Sequence, residues 1–556
     1  MRRWLVTAVL AFVTLAMLAP SVFAQAPAAP PAPKVTIVGT FDQITAAGRN
    51  FYDGNYSRDN DREWYARTRF RPDFEFAVGR TKAVLGLEID LMYGQGGVND
   101  GGFPGNATGS AGGCAGCTKS GSNGALDVNT DVGGMIEIKW IYTEFDLTGK
   151  DSLLPFIPFL TVARAGGQPF GTIANYKVYY ANGDFAGLDL YSTFTPDIKN
   201  HFAFVIVEDQ LAGGNRSLAA ARTSRGEDYA FIISPEFTPF KGLDLKPMFS
   251  WFHADGATAG SSRRSATNVR SVGGNIAGAG AVGGGNLAGD SALHEERYTI
   301  GLDARWRVGP FGLDPTISYQ WGNYQTQAIK ANGLPGRQDG EAAAWLIDVI
   351  GSYQLGPLLL EARGAYSTGN KARDNLALSK RYYEPIDLDT GYWSGGWLGI
   401  LGLGVDYFNG GGGANQQMDT NIGYDRYGRL QFALRATYSI TPALSVYGVV
   451  APTWSAEEVD TDTGCPALTV ATSNAGCATR TAVNSNSFAK GDSNYIGTEV
   501  NAGFTWRFAP NAAFDLAGYY LAAGSALKTT ELLNGVAVKR DQNDAYYAAA
   551  RVRLSF

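Results

Sequence analysis

A short ladder of arginines is the first group of residues in this sequence that could carry chemistry. Arg67, Arg69 and Arg71 occupy every second position of one alternating run. Side chains alternate across a strand with a period of two, so the three guanidinium groups are predicted to share one face. Glu88 and Asp90 take the matching polar positions of the next alternating run. Opposite charges facing a water-filled passage create a transverse field, which orders water and favours polar solutes over apolar ones.

Other alternating runs carry charges that are predicted to face the same way. Arginine outnumbers the acidic residues among them although the chain has a formal net charge of −6, so a modest preference for anions is predicted. The alternative is that these groups form ion pairs along a wetted wall, where each pair contributes little. The further candidates are Arg297, Asp303, Arg305, Arg307, Glu361, Arg363, Arg435, Glu499, Arg507, Arg551 and Arg553.

The four cysteines form two local pairs. Cys114 is close to Cys117, and Cys465 is close to Cys477. In an exported chain such pairs are read as disulfides within loops. Pairing between the two loops, or zinc held by both pairs, is the alternative.

Enzymatic chemistry finds little support. None of the three histidines lies in a zinc motif, a nucleophile elbow or another catalytic motif. We therefore predict no catalytic residue, no metal and no cofactor. The mild acidity of the chain argues against a nucleic-acid partner.

The elements that would position the charges are amphipathic strands. The runs 62–76 and 83–93 are predicted to form a hairpin. Past Leu18 there is no apolar run of about twenty residues, so membrane-spanning helices are not predicted. Aromatic residues make up 12% and charged residues 18% of the chain, a mixture suited to membrane strands. Such strands cross a membrane only in a closed barrel, because every backbone polar group must be paired there.

The sequence thus predicts an all-β fold, a transmembrane antiparallel up-and-down β-barrel of about eighteen strands. About sixteen is the alternative, because the runs near Phe159 and Asp184 are weak. A barrel of this size encloses an aqueous channel. Short Pro/Gly links are predicted on the periplasmic side and long links on the extracellular side, with both termini in the periplasm. The predicted strands begin near Lys34, Arg62, Lys82, Gly134, Phe159, Asp184, His201, Asp228, Leu243, Glu296, Asp314, Ala342, Leu358, Gly428, Leu444, Ser493, Ala513 and Asp544.

The N-terminus is predicted to direct export. Arg2 and Arg3 precede an apolar run that ends at Leu18, and Val22 and Ala24 place small residues at the cleavage positions. We predict a cleaved signal peptide over 1–24, an Ala/Pro-rich leader over 25–33 and the barrel over 34–556.

Two passages resemble Gram-negative outer-membrane porins. Trp140–Phe145 followed by Leu160–Gly171 resembles a passage of porin and alginate-export-like families, an aromatic strand and turn before arginine, glycine, glutamine, proline and phenylalanine. The last strand alternates apolar and polar residues up to Phe556. It resembles the closing strand of outer-membrane barrels, where the terminal aromatic is the signal for assembly.

The resemblance implies a channel in the outer membrane of a Gram-negative bacterium. Its partners would be outer-membrane lipid, the barrel-assembly machinery and small hydrophilic solutes, and porins commonly form homotrimers. The function predicted is passive diffusion of such solutes, with mild anion selectivity and no enzymatic activity. The alternatives are a channel specific for an acidic oligosaccharide or another anion and, in a different class, a barrel enzyme or a structural surface protein.

One long link is unusually apolar. The segment Tyr392–Val405 contains two tryptophans and several aliphatic residues, and such a surface is not expected to stay in water uncovered. A loop folded into the barrel or against its rim is favoured. A lipid-facing strand and a trimer contact are the alternatives.

Overall fold

The computed structural model describes most of the chain. The described residues are 32–50, 62–93, 131–132, 136–177, 179–181, 184–209, 227–255, 294–329, 335–371, 374, 379–386, 397–401, 427–459, 461, 491–533 and 536–556.

Long strands make up nearly all of this structure. They are β1 (Lys34–Arg49), β2 (Arg62–Val78), β3 (Thr81–Tyr93), β5 (Ile136–Thr148), β6 (Leu160–Pro169), β7 (Asp184–Thr195), β8 (Ile198–Asp209), β9 (Glu227–Phe240), β10 (Leu243–Asp255), β11 (His294–Val308), β12 (Phe311–Ile329), β13 (Pro335–Leu355), β14 (Leu358–Ser367), β16 (Arg429–Thr441), β17 (Leu444–Val459), β18 (Ser493–Ala509), β19 (Ala512–Ala523) and β22 (Ala545–Ser555). The shorter elements are β4 (Asp131–Val132), β15 (Ser379–Lys380), the hairpin of β20 (Thr529–Leu533) and β21 (Val536–Arg540), the helix α1 (Gly171–Ala174) and a 3₁₀ turn at Ser525–Leu527.

The long strands form a closed barrel. Within the described residues, eighteen of them pair antiparallel in chain order. The ring closes where β1 pairs with β22, from Thr40 opposite Ser555 to Arg49 opposite Tyr546. No helix in the described part of the chain is long and apolar enough to cross a membrane.

The predicted fold class and strand number are confirmed. The runs near Phe159 and Asp184 are both strands, β6 and β7, so the smaller barrel is wrong. The largest difference lies in β13, which begins at Pro335 and was predicted to begin near Ala342. Its first residues pair with β12 as far as Ile329 opposite Pro335. They show no alternation of their own, so only the partner strand defines them.

Alternation explains how each strand divides the inside from the outside. In β22, Ala549 and Arg551 face inward and are buried, whereas Tyr546, Val552 and Leu554 point outward and are 39–47% exposed. Strands with an apolar outer face and a charged inner face have the polarity of a membrane barrel.

The connections differ between the two ends of the barrel. One end carries the links 79–80, 149–159, 196–197, 241–242, 309–310, 356–357, 442–443 and 510–511. The other end carries longer links, such as 94–135, 256–293 and 368–428. The link between β5 and β6 is the longest at this end and spans the eleven residues 149–159. There the Gly149 N–H donates to the Ile157 carbonyl at 3.1 Å.

Aromatic rings gather on the outer face at two levels. Near the long-link end, ring contacts connect Trp251 with Phe231 and Tyr298 with Trp321. Trp306 lies on the same face of β11 near the short-turn end, about 26 Å along the strand from Tyr298. After a tilt of about 40°, the two levels are separated by about 20 Å in height. This spacing suits two aromatic girdles at the edges of an apolar band.

Candidate channel lumen

The charged residues singled out from the sequence lie on the inner face of the barrel wherever their side chains are described. Arg69, Glu88, Arg297, Asp303, Arg363, Glu499 and Arg551 are buried there. Arg71, Glu361, Arg435 and Arg553 are half-buried, and Arg305, Arg307 and Arg507 are exposed on that face. The side chains of Arg67 and Asp90 lie outside the described residues, as do Cys114, Cys117, Cys465 and Cys477.

Glu88 lies at the centre of a cluster of cations on one wall. Its Oε1 is 2.6 Å from Arg69 Nη2, and its Oε2 is 2.5 Å from Arg71 Nε and 3.7 Å from Lys139 Nζ. Asp42 is the register partner of Arg69 on the other side. Asp90 of β3 is the register partner of the same arginine, and Glu137 of β5 is the register partner of Glu88, so the three cations share this wall with several acidic residues. Because β2 and β3 are neighbours, the field between the arginines and Glu88 runs along the wall and not across the lumen.

The closing seam repeats this pattern. Asp515 Oδ2 is 3.0 Å from both Arg551 Nη2 and Arg553 Nε, so two guanidinium groups share one carboxylate. Thr505 also donates to Asp515 Oδ1, at 2.6 Å. Asp42 of β1 is the register partner of Arg553, so this charged group extends across the closing seam.

A segment that sequence reasoning missed covers the wall from β8 to β13. It follows β6 and includes residues 170–177 and 179–181, with α1 at its start; we call it the β6–β7 segment. The Lys246 ammonium donates to the Thr172 carbonyl at 2.7 Å, and the Ser234 hydroxyl donates to the Ala174 carbonyl at 2.9 Å. Farther along, the Tyr180 hydroxyl donates to Ser250 Oγ at 2.8 Å. The inner wall thus supplies hydrogen-bond partners for a backbone that has left the sheet.

The middle of the β6–β7 segment is held by charges. The Lys177 N–H donates to Asp303 Oδ2 at 2.8 Å, and its ammonium lies 3.6 Å from Asp348 Oδ2. Asp348 also accepts from Arg363 Nε at 2.9 Å. Burial lowers the pKa of Lys177, and Asp348 and Asp303 oppose that shift. The Arg305 guanidinium lies over the Tyr176 ring at 4.3 Å.

Part of the link between β14 and β16 lies on the same wall, nearer the long-link end. Described residues 379–386 bring Lys380 and Glu384 against the inner face. Arg297 Nη1 is 2.9 Å from both Glu295 Oε1 and Glu384 Oε2, and Lys380 Nζ is 3.2 Å from Glu384. Burial alone would lower the pKa of Lys380, but Glu295 and Glu384 raise it above its usual value. Two cations and two carboxylates thus neutralise one another out of water, where removal of one partner is costly.

A second part of the same link, residues 397–401, covers the opposite wall. The Gly399 and Leu401 N–H groups each donate to the Glu499 carboxylate at 2.7 Å, and the Ile400 N–H donates to it at 3.0 Å. Asn501 Nδ2 also donates to the Trp397 carbonyl at 2.8 Å. Trp397, Leu398, Ile400 and Leu401 are buried against inner residues of β16 to β19, β22 and β1. For these residues the expected inserted loop is found, and the rest of Tyr392–Val405 lies outside the described residues.

The terminal residue completes the seam. Phe556 exchanges backbone hydrogen bonds with Gly39, at 3.0 and 3.1 Å. Its ring stacks on Phe70, with 6.0 Å between the centroids. The side chain lies on the outer face, 46% exposed. An aromatic residue at this position covers the site where the last strand meets the first.

Comparison with known proteins gives only distant similarity. No protein-family model and no curated protein matches the chain. Among solved structures, OccK8 (OprE) of Pseudomonas aeruginosa is 11% identical, with 94% of this chain and 98% of that chain covered and a TM-score of 0.43. OccAB1 of Acinetobacter baumannii is 11% identical, with 94% and 96% covered and a TM-score of 0.44. A BenF-like porin of Pseudomonas fluorescens is also 11% identical, with 94% and 99% covered and a TM-score of 0.43. These TM-scores are low, so the similarity carries no argument about function.

Proposed function

We propose that this protein is an outer-membrane channel through which small hydrophilic solutes diffuse down their gradients. The observation that carries the proposal is the polarity of the closed barrel, apolar outside and charged inside. An eighteen-strand barrel is too wide for its own strand side chains to fill, so it encloses water or inserted chain. No catalytic step is required, because the channel would select solutes by their size and by the electric field of the charged residues on its wall.

The inserted chain supports a channel narrower than the barrel. The β6–β7 segment and residues 379–386 lie on one wall, and residues 397–401 lie on the opposite wall. Buried hydrogen bonds or ion pairs fix each of these segments to the wall, so each one occupies part of the lumen. Filtering by size is expected at the level of these segments.

A modest preference for anions follows from the wall charges. Glu88 and Asp515 each contact more cations than one carboxylate can neutralise. In a narrow aqueous passage such an excess raises the local concentration of anions. Location in the outer membrane, cleavage of residues 1–24, assembly through Phe556 and association into trimers belong to the same proposal.

Liposome swelling tests the proposal directly. Proteoliposomes that contain the folded full chain should swell in isosmotic solutions of small sugars, with rates that fall steeply as the sugar grows. Small organic anions should enter faster than cations of equal size. Folded protein that gives no swelling above that of empty liposomes would contradict the proposal.

A further inference from the structure

The outer face of the barrel carries a cluster of metal-ligating side chains that the channel does not use. His253 lies near the end of β10, and His294 and Glu296 lie at the start of β11. In the antiparallel register His253 is directly opposite Glu296. His294 is two residues before Glu296 and therefore points to the same side of the sheet. This side is the outer one, which also carries Trp251 and Tyr298 at the long-link end.

The donor atoms of these side chains converge. His253 Nδ1 is 2.7 Å and His294 Nε2 is 3.8 Å from the same oxygen, Glu296 Oε1. One ligand atom from each residue lies within 4.8 Å of the others. Zinc bonds of about 2.1 Å place the ligands of a tetrahedron about 3.4 Å apart. Side-chain movements of about 1 Å would therefore bring the three donors around one ion.

The surroundings resemble those of a built site. The His253 side chain is 6% exposed, whereas those of His294 and Glu296 are 35% and 23% exposed. The buried ligand would be held by packing, and the exposed ones leave an entry path. Trp251 Nε1 donates to Glu296 Oε2, which leaves Oε1 directed at the histidines. Such outer partners orient metal-ligating carboxylates.

We propose that His253, His294 and Glu296 bind a divalent cation of the zinc class at the outer rim of the barrel. Two imidazoles and one carboxylate suit zinc, copper or nickel and disfavour calcium and magnesium, which prefer oxygen ligands. Three protein ligands leave a fourth position for water. The ion would cross-link β10 and β11 at the base of the link 256–293 and so stabilise the folded barrel.

Zinc titration by isothermal calorimetry tests the site on the untagged, folded full chain in detergent. The histidine variants are His253→Gln and His294→Gln, and Glu296→Gln removes the carboxylate. His201→Gln is the matched control, because His201 is the third histidine and faces the lumen, 3.1 Å from Asp189. A Cys→Ser variant at all four cysteines separates this site from zinc bound by thiolates. Heat-modifiable gel migration monitors the fold, and the more exposed His294 and Glu296 positions keep the test valid if His253→Gln fails to fold.

One zinc per chain is expected in the wild type, in the cysteine variant and in His201→Gln. Each ligand variant should bind zinc at least about 10–100-fold more weakly, since loss of a mere outer partner already has that effect. Copper should quench tryptophan fluorescence in the wild type and less in Trp251→Phe. Absence of stoichiometric zinc in the wild type would overturn the proposal. So would zinc binding that survives His294→Gln and Glu296→Gln, or that is lost only with the cysteines.

Discussion

At the scale of single residues, two carboxylates of the lumen each contact more than one basic side chain. Glu88 contacts Arg69, Arg71 and Lys139, and Asp515 contacts Arg551 and Arg553. These two carboxylates are thus each shared between basic side chains. Part of what the sequence presents as a filter is therefore pairing within the wall, and only the excess charge acts on a solute.

Charge changes at the Glu88 cluster should move selectivity in opposite directions. Arg71 is the more exposed arginine, with 32% of its side chain accessible, so Arg71→Gln should shift the reversal potential in a salt gradient toward cation preference. Glu88→Gln should shift it toward anion preference. Both shifts should be largest at low salt, because the Debye length is about 10 Å at 0.1 M.

Arg49→Gln is the matched control for these charge changes. Arg49 lies on the outer face and its guanidinium contacts the Tyr546 hydroxyl at 3.5 Å. Its loss should leave selectivity unchanged. Equal reversal potentials for Arg71→Gln and wild type at low salt would show that the charges of the Glu88 cluster only pair with one another and do not select ions.

Phe556 should matter for assembly more than its exposure suggests. Phe556→Asp places a charge on the outer face beside Phe70 and should lower the amount of heat-modifiable protein in the outer membrane. Deletion should lower it further, because both backbone hydrogen bonds to Gly39 are lost as well. Ser555→Ala, on the inner face, should have no effect. Equal surface levels of Phe556→Asp and Ser555→Ala would remove the role given to the terminal aromatic.

At the scale of elements, the barrel strands could be predicted from the sequence, whereas the β6–β7 segment inside the barrel could not. Alternation in β22 or β11 is local, so one strand reveals its own two faces. The β6–β7 segment is defined by partners far along the chain, since Lys177 contacts Asp303 and Asp348. No local sequence pattern predicts such contacts. Residues 397–401 are an inserted segment that could be predicted, because a segment of such apolar character is not expected to remain exposed to water.

The same reasoning explains why the histidine cluster was missed. His253 and His294 are separated by a long link and meet only through the register of β10 with β11. A spacing motif cannot show that meeting. The histidine cluster could have been found from the positions of two histidines at facing ends of consecutive predicted strands, since consecutive strands of an up-and-down barrel are neighbours.

Release of residues 397–401 should alter the open channel. Glu499→Gln replaces a carboxylate that accepts from Gly399, Ile400 and Leu401. Hydrogen bonds to a charged group contribute about 1.5–3 kcal/mol each. We expect noisier or larger current steps and faster hydrogen exchange of these amides.

Glu144→Gln is the control for Glu499→Gln. Glu144 of β5 pairs with Arg164 of β6 at 2.8 Å on the inner wall, on strands other than those that residues 397–401 pack against. Its current noise and amide exchange in 397–401 should stay close to those of the wild type. The same behaviour in Glu499→Gln would contradict the role assigned to Glu499.

At the scale of the whole molecule, the barrel combines a lipid-compatible exterior with an interior that is polar and partly filled. Two apolar clusters inside the barrel anchor the inserted segments to opposite walls. The wall of β1 to β3 between them bears the Glu88 cluster. A solute that passes through would meet the Glu88 cluster on this wall and inserted chain on the two walls that the apolar clusters cover.

Single-channel recording in a planar bilayer tests this account most directly. The folded full chain should produce discrete current steps that persist at low voltage and require no energy source. Their reversal potential in a salt gradient should indicate a modest anion preference, and Arg71→Gln should diminish it. Heat-modifiable, correctly folded protein that inserts into the bilayer without any conductance would contradict the central claim that the lumen is an open aqueous channel.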